Sequence, residues 1–178
     1  ATHGTGAATV VNDAGLNFEA STVGGALSAT ATTGNVAQSG ALAITGVTTI
    51  AAANGQSIYL DSANTFSSTV AFSSGGTLAD VTIIDSNDFD LAALTLSGNL
   101  VATSTGGSIT DSGALRISGT SWFLTITSNK DIALDTTTNV FTGAVTLNTT
   151  GLTGHAEVDG GTTILDIAAS TVGGNLSL

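Results

Sequence analysis

Apolar and polar residues alternate along most of the chain in short runs. Leu27-Ser28-Ala29-Thr30-Ala31 and Ile58-Tyr59-Leu60 are typical examples. Alternation with a period of two predicts half-buried β-strands. Gly, Asn, Asp and Ser separate the runs, as at Gly34-Asn35, Asn54-Gly55 and Gly75-Gly76, and these residues favour tight corners. Since no window shows helical periodicity with caps, the pattern predicts an all-β chain without substantial helix.

The strand pattern itself repeats with a long period. The phrase that ends at Leu27 returns at Leu100 and again at Leu176, so that the spacing is 73 and then 76 residues. The spacing grows by single residues, as expected when turns lengthen and strands stay in phase. We therefore predict one continuous segment over residues 1–178, with superrepeats at approximately 1–20 (partial), 21–93, 94–169 and 170–178 (partial).

Short strands with Gly-rich corners fit either an antiparallel sandwich or a parallel β-helix. The long repeat favours the β-helix, because repeated units stack and extend one core. With roughly 20 residues per coil, a superrepeat holds three or four coils. Eight or nine coils at a spacing of about 4.8 Å give a rod roughly 40 Å long. The predicted inward stacks are Val23/Leu96/Val172, Leu27/Leu100/Leu176, Ile44/Ile117, Ile58/Ile132, Leu60/Leu134 and Val70/Val145.

Composition and charge narrow the functional classes. The chain has 13 acidic and 2 basic residues, a formal net charge of −11, which disfavours binding to nucleic acid and to anionic lipid. The hydrophobic fraction of 42% argues against disorder, while only 4% of residues are aromatic. No apolar run approaches the roughly 18 residues of a membrane helix, so we expect no membrane span.

Several phrases resemble the repeats of filamentous-haemagglutinin-like bacterial adhesins, a family of large exoproteins. They are Ser170-Thr171-Val172-Gly173-Gly174-Asn175-Leu176-Ser177-Leu178, Gly107-Ser108-Ile109-Thr110-Asp111-Ser112-Gly113-Ala114-Leu115 and Ile132-Ala133-Leu134-Asp135. The resemblance covers essentially the whole chain. It implies a right-handed parallel β-helix (β-solenoid), extracellular or cell-surface display, export through an outer-membrane partner pore and no catalytic residues in the repeats.

One acidic segment is a candidate calcium site. Asp85, Asn87, Asp88 and Asp90 lie within six positions, and calcium prefers such oxygen ligands. The equivalent stretch around Asp159 is poorer in carboxylates. An Asx-rich turn that needs no metal is the alternative, and we expect no other cofactor.

Histidines and cations are too scarce for a convincing catalytic site. His3 and His155 are the only histidines, and we expect both at the surface. Arg116 and Lys130 are the only cations, whereas β-helix enzymes that cleave acidic polysaccharides need basic groups to stabilise developing anions. The sequence therefore predicts a non-enzymatic protein without catalytic residues.

Trp122 is a candidate surface contact. Trp122 and Phe123 occupy the place of Thr49 and Ile50 in the preceding superrepeat. We expect Phe123 in the core and Trp122 directed outward, where it would stack on a sugar ring or a partner. Partial burial under a neighbouring loop is the alternative.

Paired threonines raise the question of ice binding, which requires a flat threonine array. Thr30-Ala31-Thr32 and Thr103-Ser104-Thr105 are equivalent. Because they recur once per superrepeat and not once per coil, we expect no regular plane.

Together these patterns predict a structural stalk or spacer of a bacterial extracellular adhesin-like surface protein. The alternatives are a subunit of a self-assembling extracellular filament, a polysaccharide-active β-helix enzyme and an ice-binding solenoid. Neither end carries a capping segment, so we expect a piece of a longer protein or ends covered by neighbours. The expected partners are neighbouring repeats or copies of the chain end to end, and a host or cell-surface ligand bound by other regions.

Overall fold

The computed structural model describes residues 4–178, which form short β-strands joined by turns. The strands are β1 Ala8–Asn12, β2 Leu16–Phe18, β3 Ser21–Val23, β4 Leu27–Ala31, β5 Val36–Gln38, β6 Leu42–Ile44, β7 Thr48–Ala52, β8 Ile58–Phe66, β9 Val70–Ser74, β10 Val81–Asp85, β11 Phe89–Leu91, β12 Leu94–Leu96, β13 Leu100–Ser104, β14 Ile109–Asp111, β15 Leu115–Ile117, β16 Ser121–Thr125, β17 Ile132–Leu134, β18 Val140–Phe141, β19 Val145–Asn148, β20 Ala156–Val158 and β21 Leu176–Ser177. The prediction of an all-β chain is confirmed.

Every strand pairs in parallel with a strand one coil away, which is the arrangement of a β-solenoid. The first sheet has the order β1-β4-β7-β9-β11-β14-β17-β20-β21, and the second has the order β2-β5-β8-β10-β13-β16-β19. Smaller sheets join β3-β6-β8 and β12-β15-β18. Paired residues lie 19 to 24 positions apart, as in Ala8↔Leu27 and Ile132↔Ala156. The nine strands of the first sheet therefore mark about eight turns, in agreement with the sequence prediction.

One apolar core runs through all the coils. Leu, Ile, Val and Phe side chains from all sheets are fully buried, and the largest include Phe66, Phe123 and Phe141. The rings of Phe123 and Phe141 pack edge to face with their centroids 6.3 Å apart. Of the residues predicted to point inward, most are buried, whereas Val23 and Val172 are only partly buried. Leu176 was predicted wrongly, because 44% of it is exposed on β21, which pairs with β20 alone.

The equivalent residues of successive superrepeats do not stack on one another, contrary to the predicted columns. Leu27 lies in β4 of the first sheet and pairs with Ala8 and Thr48. Its equivalent Leu100 lies in β13 of the second sheet and pairs with Val81 and Ser121. The exchange holds throughout the two large sheets: first-sheet strands recur in the second sheet, and second-sheet strands recur in the first. Strands β3 and β6 recur as β12 and β15, from one smaller sheet to the other.

The exchange arises because a superrepeat is not a whole number of coils. The superrepeat over residues 27–99 contains nine strands, and β8 serves two sheets, which gives ten strand positions. Backbone pairing steps from Leu27 to Thr48, Val70 and Leu91 in three coils, and nine more residues lead from Leu91 to Leu100. A superrepeat therefore ends part-way round a fourth coil, and Leu100 lies in the second sheet although Leu27 lies in the first.

Equivalent corners of the two superrepeats are occupied by Gly or Asn, although the strands next to them lie in different sheets. Gly55 follows β7 with a φ of 73°, and its equivalent Asn129 follows β16 with a φ of 62°. Gly and Asn are the residues that adopt this left-handed conformation most readily. Both positions are therefore solenoid corners, as the sequence predicted for Asn54-Gly55, and not hairpin turns.

Candidate functional site

A row of polar side chains, here called a staircase, lies immediately before the strands of the second sheet, with one side chain on each successive coil. Each side chain accepts a hydrogen bond from a backbone N–H one coil further along. Asn35 Oδ1 accepts from Ser57 N at 2.8 Å, and Ser57 Oγ accepts from Asp80 N at 3.2 Å. Asp80 Oδ1 accepts from Asn99 N at 2.7 Å, and Asn99 Oδ1 accepts from Thr120 N at 2.8 Å. These bonds tie five successive coils together at one corner.

A second staircase precedes the strands of the first sheet. Asp88 Oδ1 accepts from Ser108 N at 2.6 Å, and Ser108 Oγ accepts from Asp131 N at 3.1 Å. Asp131 Oδ1 accepts from His155 N at 2.7 Å, and His155 Nδ1 accepts from Asn175 N at 2.9 Å. The members of this staircase from Ser108 onward are the superrepeat equivalents of the first staircase. The same bonds therefore recur on the neighbouring face.

Buried asparagines fill a polar corner inside the core, once per superrepeat. Asn64 Oδ1 accepts from Leu42 N at 2.8 Å, and Asn139 Oδ1 accepts from Leu115 N at 2.7 Å. Asn64 also bonds to the Gln38 side chain, with Gln38 Nε2 donating to Asn64 Oδ1 at 2.9 Å. Both asparagines are fully buried, so each satisfies backbone groups that the strand ladder leaves unpaired.

Asp111 takes the place of Gln38 in the second copy of this corner. Asn139 Nδ2 donates to Asp111 Oδ2 at 2.7 Å, while Asp111 Oδ1 has no hydrogen-bond partner. Burial raises the pKa of Asp111, and the hydrogen bond from Asn139 opposes that rise in part. The corner thus holds a buried carboxyl in one copy and a neutral amide in the other.

Asp85 is a second buried carboxyl. Its Oδ1 accepts from Phe66 N at 2.9 Å and from Ser86 N at 2.8 Å, whereas its Oδ2 has no partner. Burial raises the pKa of Asp85 to about 6, although the bonds from backbone N–H groups act in the opposite direction. Desolvation wins because a charged carboxylate loses more hydration on burial than two amide donors return.

The four residues of the calcium candidate make separate contacts within the chain. Asp85 is buried beside Phe66, and Asp88 forms an ion pair with Lys130 at 3.6 Å in addition to its staircase bond. Asp90 Oδ2 accepts from Ser112 Oγ at 2.6 Å, and the backbone carbonyl of Asn87 accepts from Ser104 Oγ at 2.8 Å. Within residues 4–178, no group of three or more His, Cys, Asp or Glu side chains is arranged to hold a metal ion.

The scarce histidine and cations lie apart. His155 is exposed, as expected, and takes part in the second staircase. His3 lies outside the described residues. Arg116 is exposed and lines a cavity of about 180 Å³ with Thr137, Asn139 and other uncharged residues. Lys130 is paired with Asp88 on another part of the surface.

Trp122 lies on the outward side of the second sheet, where 45% of its surface is exposed, and Phe123 is fully buried beside it. The predicted outward direction of Trp122 and inward direction of Phe123 are confirmed. Backbone pairing places Val101 and Thr146 on either side of it. Two positions along the same strand, Leu124 is partly buried.

The outward side around Trp122 carries uncharged side chains, here called the outward strip, of which Thr103 and Thr146 are buried. It comprises two registered rows of side chains on neighbouring strands. The rows are Tyr59, Thr82, Val101, Trp122 and Thr146, and Ile84, Thr103, Leu124 and Asn148.

The paired threonines do not share a plane. Thr30 lies in β4 of the first sheet, whereas its equivalent Thr103 lies in β13 of the second sheet and is only 9% exposed. The two sites lie on different sheets because a superrepeat is not a whole number of coils. The expectation that no regular threonine array forms at these sites is confirmed.

Sequence reasoning missed the buried asparagines and the staircases. Asn64-Thr65-Phe66 and Asn139-Val140-Phe141 are spaced 75 residues apart, so the superrepeat alignment contained the signal. An amide followed two positions later by a buried aromatic residue would have identified this corner.

The residues described contain no helix long and apolar enough to span a membrane.

Comparison with known proteins supports the superrepeat identified in the sequence. One family model matches residues 5–73 and 78–148, two stretches whose starts are 73 residues apart, as the superrepeat requires. No curated protein and no solved structure gives a significant match. Because the matched stretches cover most of the chain, it belongs to the family described as repeats of unknown function (DUF5649).

Proposed function

We propose that this chain is a stiff spacer segment of a bacterial extracellular, adhesin-like surface protein. The observation that carries the proposal is the unbroken axial connection of the coils. The first sheet is hydrogen-bonded in parallel from β1 to β21, and one apolar core fills the interior along this length. In solenoids, each unit contacts only its neighbours, so length is added without a new fold.

The corner staircases support a role in resisting mechanical force along the rod. They add side-chain hydrogen bonds along the rod axis at two corners, in parallel with the backbone ladders. A bond to an ionised acceptor is stronger than a neutral one, and Asp80, Asp88 and Asp131 supply such acceptors. Bending or stretching the rod would have to break these bonds together with the sheet.

The adhesin-like assignment rests on the resemblance of the repeats to filamentous-haemagglutinin-like proteins. The net charge of −11 and the absence of Cys are compatible with an exported surface rod. The proposal assigns no catalytic residue, cofactor or metal. Its expected partners are neighbouring repeats, with a host or cell-surface ligand bound by other regions of the protein.

A filament subunit is the second candidate. β21 is hydrogen-bonded to β20, and in the filament candidate its other edge would pair with a second copy of the chain. An open edge of this kind is a template for a second strand. Copies joined end to end through such edges would extend the rod.

Small-angle X-ray scattering and negative-stain electron microscopy over a concentration series test these candidates. The spacer proposal predicts single rods roughly 40 Å long at every concentration, given about eight intervals of about 4.8 Å. Filaments that lengthen with concentration would instead favour the filament candidate.

Surface display is tested separately with antibodies raised against the purified chain. Cells that produce the protein are labelled while intact and again after lysis. We expect labelling of intact cells. Labelling that requires lysis would contradict extracellular display.

A further inference from the structure

The outward strip is apolar at positions where the fold does not need apolar residues. Trp122 takes the place held by Thr49 in the preceding superrepeat, and Leu124 takes the place of Ala51. The strands that carry them, β7 and β16, bury their inward residues in the same way. Since the first copy folds with small outward residues, the large ones in the second copy are available for another role.

The strip runs parallel to the long axis of the rod. Tyr59, Thr82, Val101 and Trp122 are aligned by the backbone pairing of four successive strands. Because neighbouring strands lie about 4.8 Å apart, Tyr59 and Trp122 are separated by roughly 14 Å. An extended ligand that lies along the rod would therefore touch both aromatic side chains at once.

The charges on the chain limit which ligand fits. Strand β8 carries the exposed Asp61 two positions from Tyr59, whereas the outward positions of β10, β13, β16 and β19 carry no ionisable side chain. A charged group seated there would lose its hydration without gaining a partner. The net charge of −11 also repels polyanions at longer range.

The mixture of side chains fits a sugar. A pyranose ring has an apolar face of C–H groups and a rim of hydroxyl groups. The indole of Trp122 offers a flat apolar platform with an N–H donor, and Thr82 and Asn148 add partly exposed polar groups beside it. We propose that the outward strip binds a neutral polysaccharide chain that lies along the rod, with Trp122 as the stacking platform.

A second copy of the chain is a less favourable occupant. Two chains that each carry a net charge of −11 repel one another as they approach. Sugar binding by the outward strip is a property beyond the spacer role, and the spacer proposal does not depend on it.

Tryptophan fluorescence tests the proposal directly, because Trp122 is the only tryptophan of the chain. The purified chain is titrated with three soluble neutral polysaccharides, a mixed-linkage β-glucan, a galactomannan and a dextran, and with alginate as the anionic comparison. We expect a saturable change in emission with at least one neutral polymer and none with alginate. Absence of a change with all three neutral polymers, or saturation by alginate alone, would overturn the proposal.

Variants identify the platform by calorimetric titration with the polymer that binds. Trp122→Ala is expected to weaken binding about tenfold, which corresponds to about 1.4 kcal/mol, and Trp122→Phe is expected to recover most of it because it restores an aromatic contact. Thr49→Ala, at the equivalent position of the first copy, is the matched control and should bind as the unaltered chain does. Circular dichroism verifies that each variant is folded.

Two results would reject the assignment. Undiminished binding by folded Trp122→Ala would place the sugar elsewhere. Concentration-dependent dimers in sedimentation velocity without sugar, lost in Trp122→Ala, would show that the strip is covered by a second copy.

Discussion

The buried carboxyl of Asp85 should make the stability of the solenoid depend on pH. Burial raises the pKa of Asp85 from 3.8 to about 6. Between these values the unfolded chain has released its proton while the folded chain still holds it. The stability is therefore fully present below the unfolded pKa and is lost as the pH rises through the folded pKa. A difference of about 2 pKa units corresponds to about 3 kcal/mol.

Asp85→Asn isolates this contribution. The amide oxygen of asparagine can still accept the hydrogen bonds from Phe66 N and Ser86 N, but the side chain no longer ionises. We expect the stability of the variant relative to the unaltered chain to increase by about 3 kcal/mol between pH 3 and pH 8. Most of the increase should fall between the unfolded and folded pKa values of Asp85.

Urea unfolding of both proteins, followed by circular dichroism at several pH values, measures this difference. The other carboxyls, including the buried Asp111, are common to both proteins, so their contributions largely cancel. Asp61→Asn, at an exposed position, is the control for removing one negative charge. A stability difference that stays constant with pH, or that changes in the opposite direction, would refute the role assigned to desolvation of Asp85.

Three further substitutions test the core, the polar corner and the close approach of the coils, with urea unfolding as the measurement throughout. Phe123→Ala should cost about 3 to 5 kcal/mol, because the ring is fully buried and its loss leaves a cavity. A cost below about 1 kcal/mol would contradict such tight packing. Asn139→Ala should cost about 3 kcal/mol, since buried backbone groups would lose their partner, whereas the exposed Thr138→Ala should have little effect. Gly107→Ala should be strongly destabilising, because the added Cβ would overlap the backbone nitrogen of Asp88 in the preceding coil. Gly75→Ala is its control, as nothing lies near its Cβ position, and equal effects of the two glycine changes would argue against this coil spacing.

Local pattern was sufficient for the strands and for the direction of their side chains. Alternation at Ile58-Tyr59-Leu60 correctly placed Ile58 and Leu60 inside. The prediction for Trp122 and Phe123 succeeded for the same reason, since neighbours on a strand point to opposite sides. The error at Leu176 came from its neighbours, because burial there requires a coil on both sides of β21.

The candidate site was predicted only in part. Trp122 was identified from one unusual residue in the repeat, but its row includes Tyr59, which is distant in sequence. The four residues of the calcium candidate are close in sequence yet point to different neighbours, and Asp85 enters the core while Asp90 bonds to Ser112. Proximity along a strand does not bring side chains together, because alternate residues face opposite ways.

The sequence by itself determined that the chain is an all-β repeat with short strands and with Gly, Asn and Asp corners. These properties are local, and each follows from the period of the hydrophobic pattern and from backbone preferences. Only the tertiary structure decided which face each strand occupies. The face that a strand occupies depends on the summed length of all the coils before it. The length of one coil varies from 19 to 24 residues. A superrepeat spans three coils, from Leu27 through Thr48 and Val70 to Leu91, and part of a fourth. Leu27 and Leu100 are therefore equivalent in sequence but lie in different sheets.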